Sequence, residues 1–179
     1  MKALLIITSL FLASCITTLK PTTPNDNRLP LNKTNISKLN GDFNTHNKNN
    51  SVIRLDWALT FNKDIPVRSQ ITPSKVTIAA IDERHIKVML YNGDSLIKTR
   101  MVKGKIKDDY FTFKQRSISP FWFIINGFGK NKTRLGLLNT GDLIVDSRSV
   151  IVATLIILPF SGGRKEEYNM IFNKQVGSR

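Results

Sequence analysis

The sequence predicts a mainly β fold: an antiparallel meander of about eight to nine strands that forms a small barrel or a strongly curved sheet, with one short N-terminal helix. Two observations lead to this prediction. From Lys75 onward, short apolar or alternating runs are separated by Gly, Asn and Asp, which is typical of sequential antiparallel strands. Among them lies Asn92-Gly93, a dipeptide that strongly favours a two-residue hairpin turn. A closed barrel or a strongly curved sheet would reduce the exposed strand edges of such a meander.

The domain is expected to open with short elements. Residues 39–43 resemble the start of a strand. In residues 52–61, apolar side chains at 52, 55, 58 and 59 fit one face of a helix, and this predicts a short helix. Alternation through 53, 55, 57, 59 and 61 fits a strand equally well.

The remaining elements are predicted as strands. Their ranges are 76–81, 86–91, 96–102, 110–114, 120–125, 133–138, 143–146, 150–158 and 168–172. Residues 126–129 and 159–164 are predicted as turns because they are rich in Gly, Asn and Pro. The run at 150–158 is dominated by β-branched residues and is far shorter than the roughly 20 residues of a membrane-spanning helix, so we expect a buried central strand.

The start of the chain predicts where the protein is located. Lys2 is followed by an apolar run at 3–13 and by the small pair Ala13-Ser14, the order of a secretory signal. The run of about 11 residues is too short to span a bilayer. We therefore expect a signal peptide at 1–14, a flexible tether rich in Thr, Pro, Asn and Lys at 15–50, and a single β-rich domain at 51–179.

The four residues Leu12-Ala13-Ser14-Cys15 resemble the lipobox of bacterial lipoproteins, an aliphatic residue and two small residues before a cysteine. The resemblance implies that Cys15 receives a diacylglyceryl group, that the preceding peptide is removed, and that palmitate-type acyl chains then anchor the protein to a membrane. Each buried methylene contributes about 0.8 kcal/mol, so two or three chains form a durable anchor. Because Cys15 is the single cysteine of the chain, no disulfide is expected.

Three longer segments, residues 39–43, 103–111 and 134–146, are similar to recurring segments of small uncharacterised lipoproteins of Bacteroidota. In that phylum an acidic tag after the lipidated cysteine directs lipoproteins to the cell surface. Residues 16–20 contain no acidic side chain. The resemblance therefore implies the periplasmic face of the outer membrane, and it implies no catalytic residues.

The chain is strongly basic, with 27 Lys and Arg against 13 Asp and Glu and a formal charge of +14. Such a charge concentrates anions near the surface, and for a tethered protein the nearest anions are lipid head groups. Lys103, Lys105 and Lys107 alternate along one expected strand and form a candidate stripe for contact with an anionic surface. A solvated outer face without a partner is the alternative. Nucleic acid is not an expected partner.

Catalytic candidates are few. Asp82, Glu83 and His85 cluster at an expected turn and could offer ligands or an acid/base pair, but turns attract Asp and Glu for backbone reasons and no nucleophile accompanies them. We expect no metal, no cofactor and no enzymatic activity. The expected function is a lipid-anchored β-domain that binds a lipid, glycan or protein partner. An envelope hydrolase using this cluster and a purely structural envelope protein are the alternatives.

Overall fold

The computed structural model describes residues 27–48, 53–59, 73–121, 125–155 and 158–175. At 117–121, 125–128, 151–155 and 158–161 it describes the backbone alone. None of the helices in these ranges is long and apolar enough to cross a membrane.

The described chain contains ten strands, one 3-10 turn and one helical turn. In order they are β1 (Arg28–Leu29), η1 (Ile36–Leu39), β2 (Gly41–Asn44), α1 (Leu55–Ala58), β3 (Lys75–Ala80), β4 (His85–Asn92), β5 (Ser95–Lys103), β6 (Lys105–Lys107), β7 (Tyr110–Phe121), β8 (Ile125–Leu138), β9 (Leu143–Leu155) and β10 (Leu158–Phe172).

The strands form two antiparallel sheets. Sheet A has the order β10-β9-β8-β7-β6, with β1 paired to the end of β8, and sheet B has the order β2-β3-β4-β5. Apart from β1, neighbouring strands follow one another in the chain, so the predicted mainly β meander is confirmed. Of the two predicted architectures, the described strands form the curved-sheet one and do not close into a barrel.

The two sheets meet at two corners. At one corner β5 continues into β6 through Gly104, where a Cβ atom would lie 2.5 Å from the ring of Phe111. Only glycine allows the chain to pass this close to the ring. At the other corner an antiparallel bridge joins Phe43 of β2 to Lys174, just after β10.

One hydrophobic core lies between the sheets. Sheet A contributes Phe111, Phe113, Leu135, Leu137, Leu143, Val145, Met170 and Phe172, and sheet B contributes Phe43, Val76, Ile78, Ile86, Val88, Leu90 and Val102. Burial of each Val, Leu, Ile or Phe stabilises the fold by about 1.5–3 kcal/mol. The short helix predicted within 52–61 is confirmed as the four-residue α1, which adds Leu55 and Ala58 to this core. Residues 52, 60 and 61 of that prediction lie outside the described ranges.

Residues 27–48 belong to the domain, although the tether was predicted to extend to residue 50. Leu31, Ile36, Leu39 and Phe43 are all buried in the core. Pro and Asn exclude a long helix or strand here, but they leave room for β1, η1 and β2 between them. Residues 15–26 of the predicted tether lie outside the described chain.

Positive φ angles occur in the β4–β5 and β6–β7 hairpin turns. The hairpin between β4 and β5 is confirmed, but its turn is Gly93-Asp94, one residue later than predicted, because Asn92 still pairs with Ser95. Gly93 has φ +58°. Between β6 and β7, Asp108 and Asp109 have φ of 53° and 64°, as a type I′ turn requires.

Strands β7 to β10 are longer than predicted, with 12, 14, 13 and 15 residues. The segments 120–125 and 150–158 were each predicted as one strand, but each contains the end of one strand and the start of the next. The predicted turns at 126–129 and 159–164 lie inside β8 and β10. The Gly and Asn residues of 126–129 are tolerated because β8 is hydrogen-bonded to β7 on one side and to β9 on the other. For 159–164, β10 is held by its pairing with β9, with a register shift between Pro159 and Ser161.

Sheet A therefore extends past its core. On the described inner face the buried apolar side chains end at Phe113, and the next level across the sheet is polar and at least partly exposed: Gln115, Asn131, Ser149 and Lys165. From Gln115 to Phe121, β7 continues for about 20 Å at about 3.3 Å per residue. We call the part of β7–β10 from this level to the strand ends the arm.

Candidate anion-binding site

The outer face of sheet A, opposite the core, is strongly basic. The register places nine basic residues on it from five consecutive strands: Lys105 and Lys107 of β6, Lys114 and Arg116 of β7, Lys130, Lys132 and Arg134 of β8, Arg148 of β9 and Arg164 of β10. We call this set the basic face. The carboxylates at matching positions on these strands are those of Asp146 and Glu166.

Two levels of the basic face, the cationic rungs, cross all four long strands. The first contains Lys114, Lys132, Arg148 and Glu166, and the second contains Arg116, Lys130, Val150 and Arg164. Lys114 lies directly opposite Lys132, and Arg116 directly opposite Lys130. Residues opposite each other have Cβ atoms about 4.5–5.5 Å apart, and like charges at this spacing destabilise a sheet. A bound anion would relieve this repulsion.

The two carboxylates of the face are engaged with arginines. Asp146 Oδ2 accepts a hydrogen bond from Arg134 Nε at 2.8 Å, and both side chains are buried. Glu166 Oε1 lies 3.0 Å from Arg148 Nε and also pairs with Arg164. Both acids at these positions therefore pair with arginines, and Lys107 pairs with Asp108 in the adjoining turn at 3.8 Å.

An aromatic ring fixes two guanidinium groups at the base of the face. The Cζ atoms of Arg28 and Arg134 lie 4.5 Å and 4.7 Å from the centre of the Tyr110 ring. Arg28 also donates a hydrogen bond to the Tyr110 hydroxyl. Cation–π contacts of this kind hold planar guanidinium groups in place. Arg134 is thus oriented by the ring as well as by its carboxylate.

Lys132 is a partly buried cation of the face. Burial lowers the pKa of Lys132 below its ordinary value of 10.5, and the charges of Lys114, Lys107 and Arg134 lower it further. The negative charge of Asp108 raises the pKa of Lys132, but it is the smallest of these contributions. The charged form of Lys132 is therefore disfavoured, first by burial and then by the neighbouring cations.

A shallow cleft of about 80 Å³ lies among the cationic rungs. Its lining consists of Lys114, Gln115, Arg116, Lys130, Asn131, Lys132, Arg148 and Val150. Since a water molecule occupies about 30 Å³, the cleft has room for one small anionic group. Pockets for drug-sized ligands have volumes of about 300–1,000 Å³. The cleft is therefore too small for a ligand of that size.

The three lysines singled out from the sequence are all exposed, but they are divided between the sheets. Lys103 pairs with His85 in sheet B, whereas Lys105 and Lys107 pair with Thr112 and Tyr110 in sheet A. Gly104 separates them at the corner. Lys105 and Lys107 therefore join the basic face and Lys103 does not.

Asp82 and His85 lie together, but Glu83 is directed elsewhere. His85 Nδ1 is 2.9 Å from Asp82 Oδ2, and Asp82 Oδ1 accepts hydrogen bonds from the backbone amides of Arg84 and His85. The hydrogen bond from the Arg84 amide and then that from the His85 ring lower the pKa of Asp82. Glu83 pairs with Lys33 at 3.0 Å. Within the described ranges, no group of three or more His, Cys, Asp or Glu is placed to hold a metal ion.

Most of the basic face was missed from the sequence, although a signal for it exists. Basic residues alternate at 114 and 116 and again at 130, 132 and 134, each pattern placing its members on one side of a strand. Their assembly into one surface depends on the register between strands. Cys15 lies outside the described residues.

No protein-family model matches the chain, and neither a curated protein nor a solved structure matches it.

Proposed function

We propose that this protein is a lipid-anchored lipoprotein of the cell envelope whose β-domain binds phosphate-bearing anions through the basic face. The observation that carries the proposal is the direct opposition of like charges in the cationic rungs, Lys114 against Lys132 and Arg116 against Lys130. Like charges directly opposite each other disfavour the folded sheet, and a bound anion would offset them. We propose a role in binding rather than catalysis, without metal or cofactor.

The lipobox-like residues that end at Cys15 support the proposed location in the cell envelope. The proposed anchor is the lipidated Cys15, on the periplasmic face of the outer membrane. As a polar tether of about 12 residues, residues 15–26 would have a root-mean-square span of about 20 Å. Phosphate groups of lipids or of membrane-bound glycans then lie within reach of the domain.

Binding is tested with a chain that starts at Ile16, which keeps every described residue and lacks Cys15. The triple variant K107Q/K114Q/K132Q should bind phosphatidylglycerol vesicles and soluble polyphosphate on the order of 100-fold more weakly at low salt, since each lysine near an anionic surface contributes about 1 kcal/mol. Binding of the unmodified chain should be lost near about 0.5 M salt, because the Debye length falls from about 8 Å at 0.15 M to about 3 Å at 1 M.

The matched control removes three lysines outside the basic face, as K38Q/K87Q/K98Q. It carries the same net charge as the test variant, so a general effect of charge weakens both equally. The proposal predicts a much smaller loss for the control, and also for K103Q compared with K107Q. Equal losses in the two triple variants would show that the face is only solvated surface. Binding to vesicles but not to polyphosphate would identify lipid as the phosphate source, and the reverse would identify a glycan or another soluble polymer.

The anchor is tested separately in the full chain. Metabolic labelling with palmitate should mark the wild-type protein, whereas Cys15→Ala should remain unlabelled and unprocessed. Label on the variant, or on neither protein, would overturn the lipoprotein assignment without affecting anion binding.

A further inference from the structure

The arm of sheet A ends in a level that is apolar on every strand. Phe121 pairs with Ile125, Ile125 with Leu155, and Leu155 with Leu158. We call these four residues the end rung. In the sequence, residues 122–124 and 156–157, which join the same strands, are apolar as well.

Charge disappears along the arm at a defined level. The second cationic rung, which contains Arg116, Lys130 and Arg164, is the last outer-face level with charged residues. The strand residues beyond the cationic rungs and Lys165 are 117–121, 125–129, 151–155 and 158–163, and none of them is Asp, Glu, Lys or Arg. The arm therefore carries the cationic rungs near the core and has no charged residue from there to the end rung.

We infer that the end of the arm docks into an anionic lipid bilayer, with the end rung in the apolar part of the interface and the cationic rungs against the head-group phosphates. This inference rests on the proposed function for the role of the cations. It goes further in adding an apolar contact and in committing the partner to a lipid surface.

The dimensions of the arm fit one leaflet. From Arg116 to Phe121 the strand rises about 16 Å at about 3.3 Å per residue, and one leaflet contributes about half of the roughly 30 Å hydrocarbon core. Deep entry is disfavoured because the edges of an open sheet would bring unpaired backbone groups into hydrocarbon. The expected position is shallow, with the end rung about 5–10 Å below the head groups, as for other interfacial segments.

Two other kinds of partner would each account for only one of the two features, the cationic rungs or the apolar end rung. A soluble polyanion accounts for the cationic rungs but not for the apolar end. A second copy of the chain could cover the end rung, but it would leave the cationic rungs without complementary negative charge. An anionic bilayer complements both parts at once.

The position of the arm is tested with a single labelled cysteine. The chain from Ile16 contains no cysteine, so Ile125→Cys can carry an environment-sensitive fluorophore as the sole label. Its emission should shift to the blue with phosphatidylglycerol vesicles and be quenched by a lipid-borne quencher. The control Ser37→Cys, exposed in η1, should change in neither respect. An unchanged signal at position 125 in vesicles that bind the protein would overturn the inference.

Affinity is tested with substitutions at the end rung. F121S/L155S should weaken partitioning into vesicles by about tenfold or more while polyphosphate binding and the circular dichroism spectrum remain as in the parent chain. If this variant fails to fold, Asn126→Leu decides, because adding an apolar side chain next to the end rung should strengthen partitioning while the circular dichroism spectrum stays that of the parent chain. Vesicle binding unchanged by either substitution would overturn the inference, as would a dimer in vesicle-free solution that F121S/L155S dissociates.

The two proposals fail in different ways. Polyphosphate binding that is insensitive to K107Q/K114Q/K132Q would overturn the anion site, whereas the fluorescence of the label at position 125 reports on insertion by itself.

Discussion

Arg134 and Asp146 form a buried ion pair within the basic face, with Nε 2.8 Å from Oδ2 and with side chains that are 8% and 0% exposed. The second carboxylate oxygen, Oδ1, accepts a hydrogen bond of 2.7 Å from the backbone amide of Asn169. Asn169 has φ 54° and lies in the irregular stretch of β10 between Glu167 and Met170. The Asp146 carboxylate thus accepts hydrogen bonds from both Arg134 of β8 and the backbone of the irregular stretch of β10.

Replacing Asp146 by Asn should lower the free energy of unfolding by about 3–5 kcal/mol, because Arg134 would stay buried without its counter-charge. Urea unfolding followed by circular dichroism measures the change. The double variant R134M/D146L removes both charges and should recover most of the loss. Asp94→Asn, in the exposed turn after β4, is the control for loss of one carboxylate and should have little effect. A double variant as unstable as D146N would contradict this account.

Gly93→Val should destabilise the protein by about 1–3 kcal/mol, because a β-branched residue strongly disfavours positive φ. A Cβ atom at Gly93 would meet nothing within 4 Å, so the effect comes from the backbone alone. Gly163→Val is the matched control, since its Cβ atom also meets nothing within 4 Å and its φ lies outside the positive range. Thermal unfolding should separate the two variants. Equal melting temperatures would mean that the strain at Gly93 is negligible.

Asp109→Gly should stabilise the protein by about 0.5–1 kcal/mol, because glycine adopts φ of this sign without the steric conflict of other residues. Asp109 has φ 64° at the second position of the turn, where Gly is preferred in type I′ hairpins. Asp109→Ala removes the same carboxylate but keeps Cβ, so it should be less stable than Asp109→Gly. Melting temperatures in the opposite order would contradict the assignment of the turn.

The sequence was sufficient for the class of fold and for most strand positions because short-range patterns determine them. The β4–β5 hairpin illustrates the limit, since Asn92-Gly93 marked the hairpin but pairing of Asn92 with Ser95 shifted the turn by one residue. Gly127 and Gly129 predicted a turn because local preference was considered alone. In the structure both lie in β8, where pairing on two sides outweighs that preference.

The candidate site was less predictable because it depends on register. Alternation correctly placed Lys105 and Lys107 on one face, but Gly104 moves Lys103 to the other sheet. The opposition of Lys114 and Lys132 joins residues 18 positions apart, and no local pattern specifies that pairing. Likewise, the end rung exists only because four strand ends coincide.

Lys132→Gln should make the domain more stable and a weaker anion binder. Lys132 stands opposite Lys114 on one strand and Arg148 on the other, so its removal relieves like-charge opposition worth about 0.2–1 kcal/mol per pair. The melting temperature should rise by about 1–8 °C. Polyphosphate affinity should fall in the same variant. A gain in stability coupled to a loss of binding is the behaviour expected of a functional site.

The pH dependence of this gain follows from the lowered pKa of Lys132. Burial and then the neighbouring cations lower that pKa in the folded protein, so the unfolded chain binds the proton more tightly and the charged lysine opposes folding at neutral pH. As the pH rises through the window between the lowered pKa and 10.5, this opposition is lost and the wild type gains stability relative to K132Q. The advantage of K132Q should therefore be largest near about pH 7 and shrink as the pH approaches about 10.5. Urea unfolding of both proteins across this range measures it, with Lys38→Gln in η1 as the control for loss of one charge. A stability difference that stays constant with pH, or a K132Q variant less stable than the wild type, would contradict this account. Either result would mean that like-charge repulsion at Lys132 does not destabilise the folded protein.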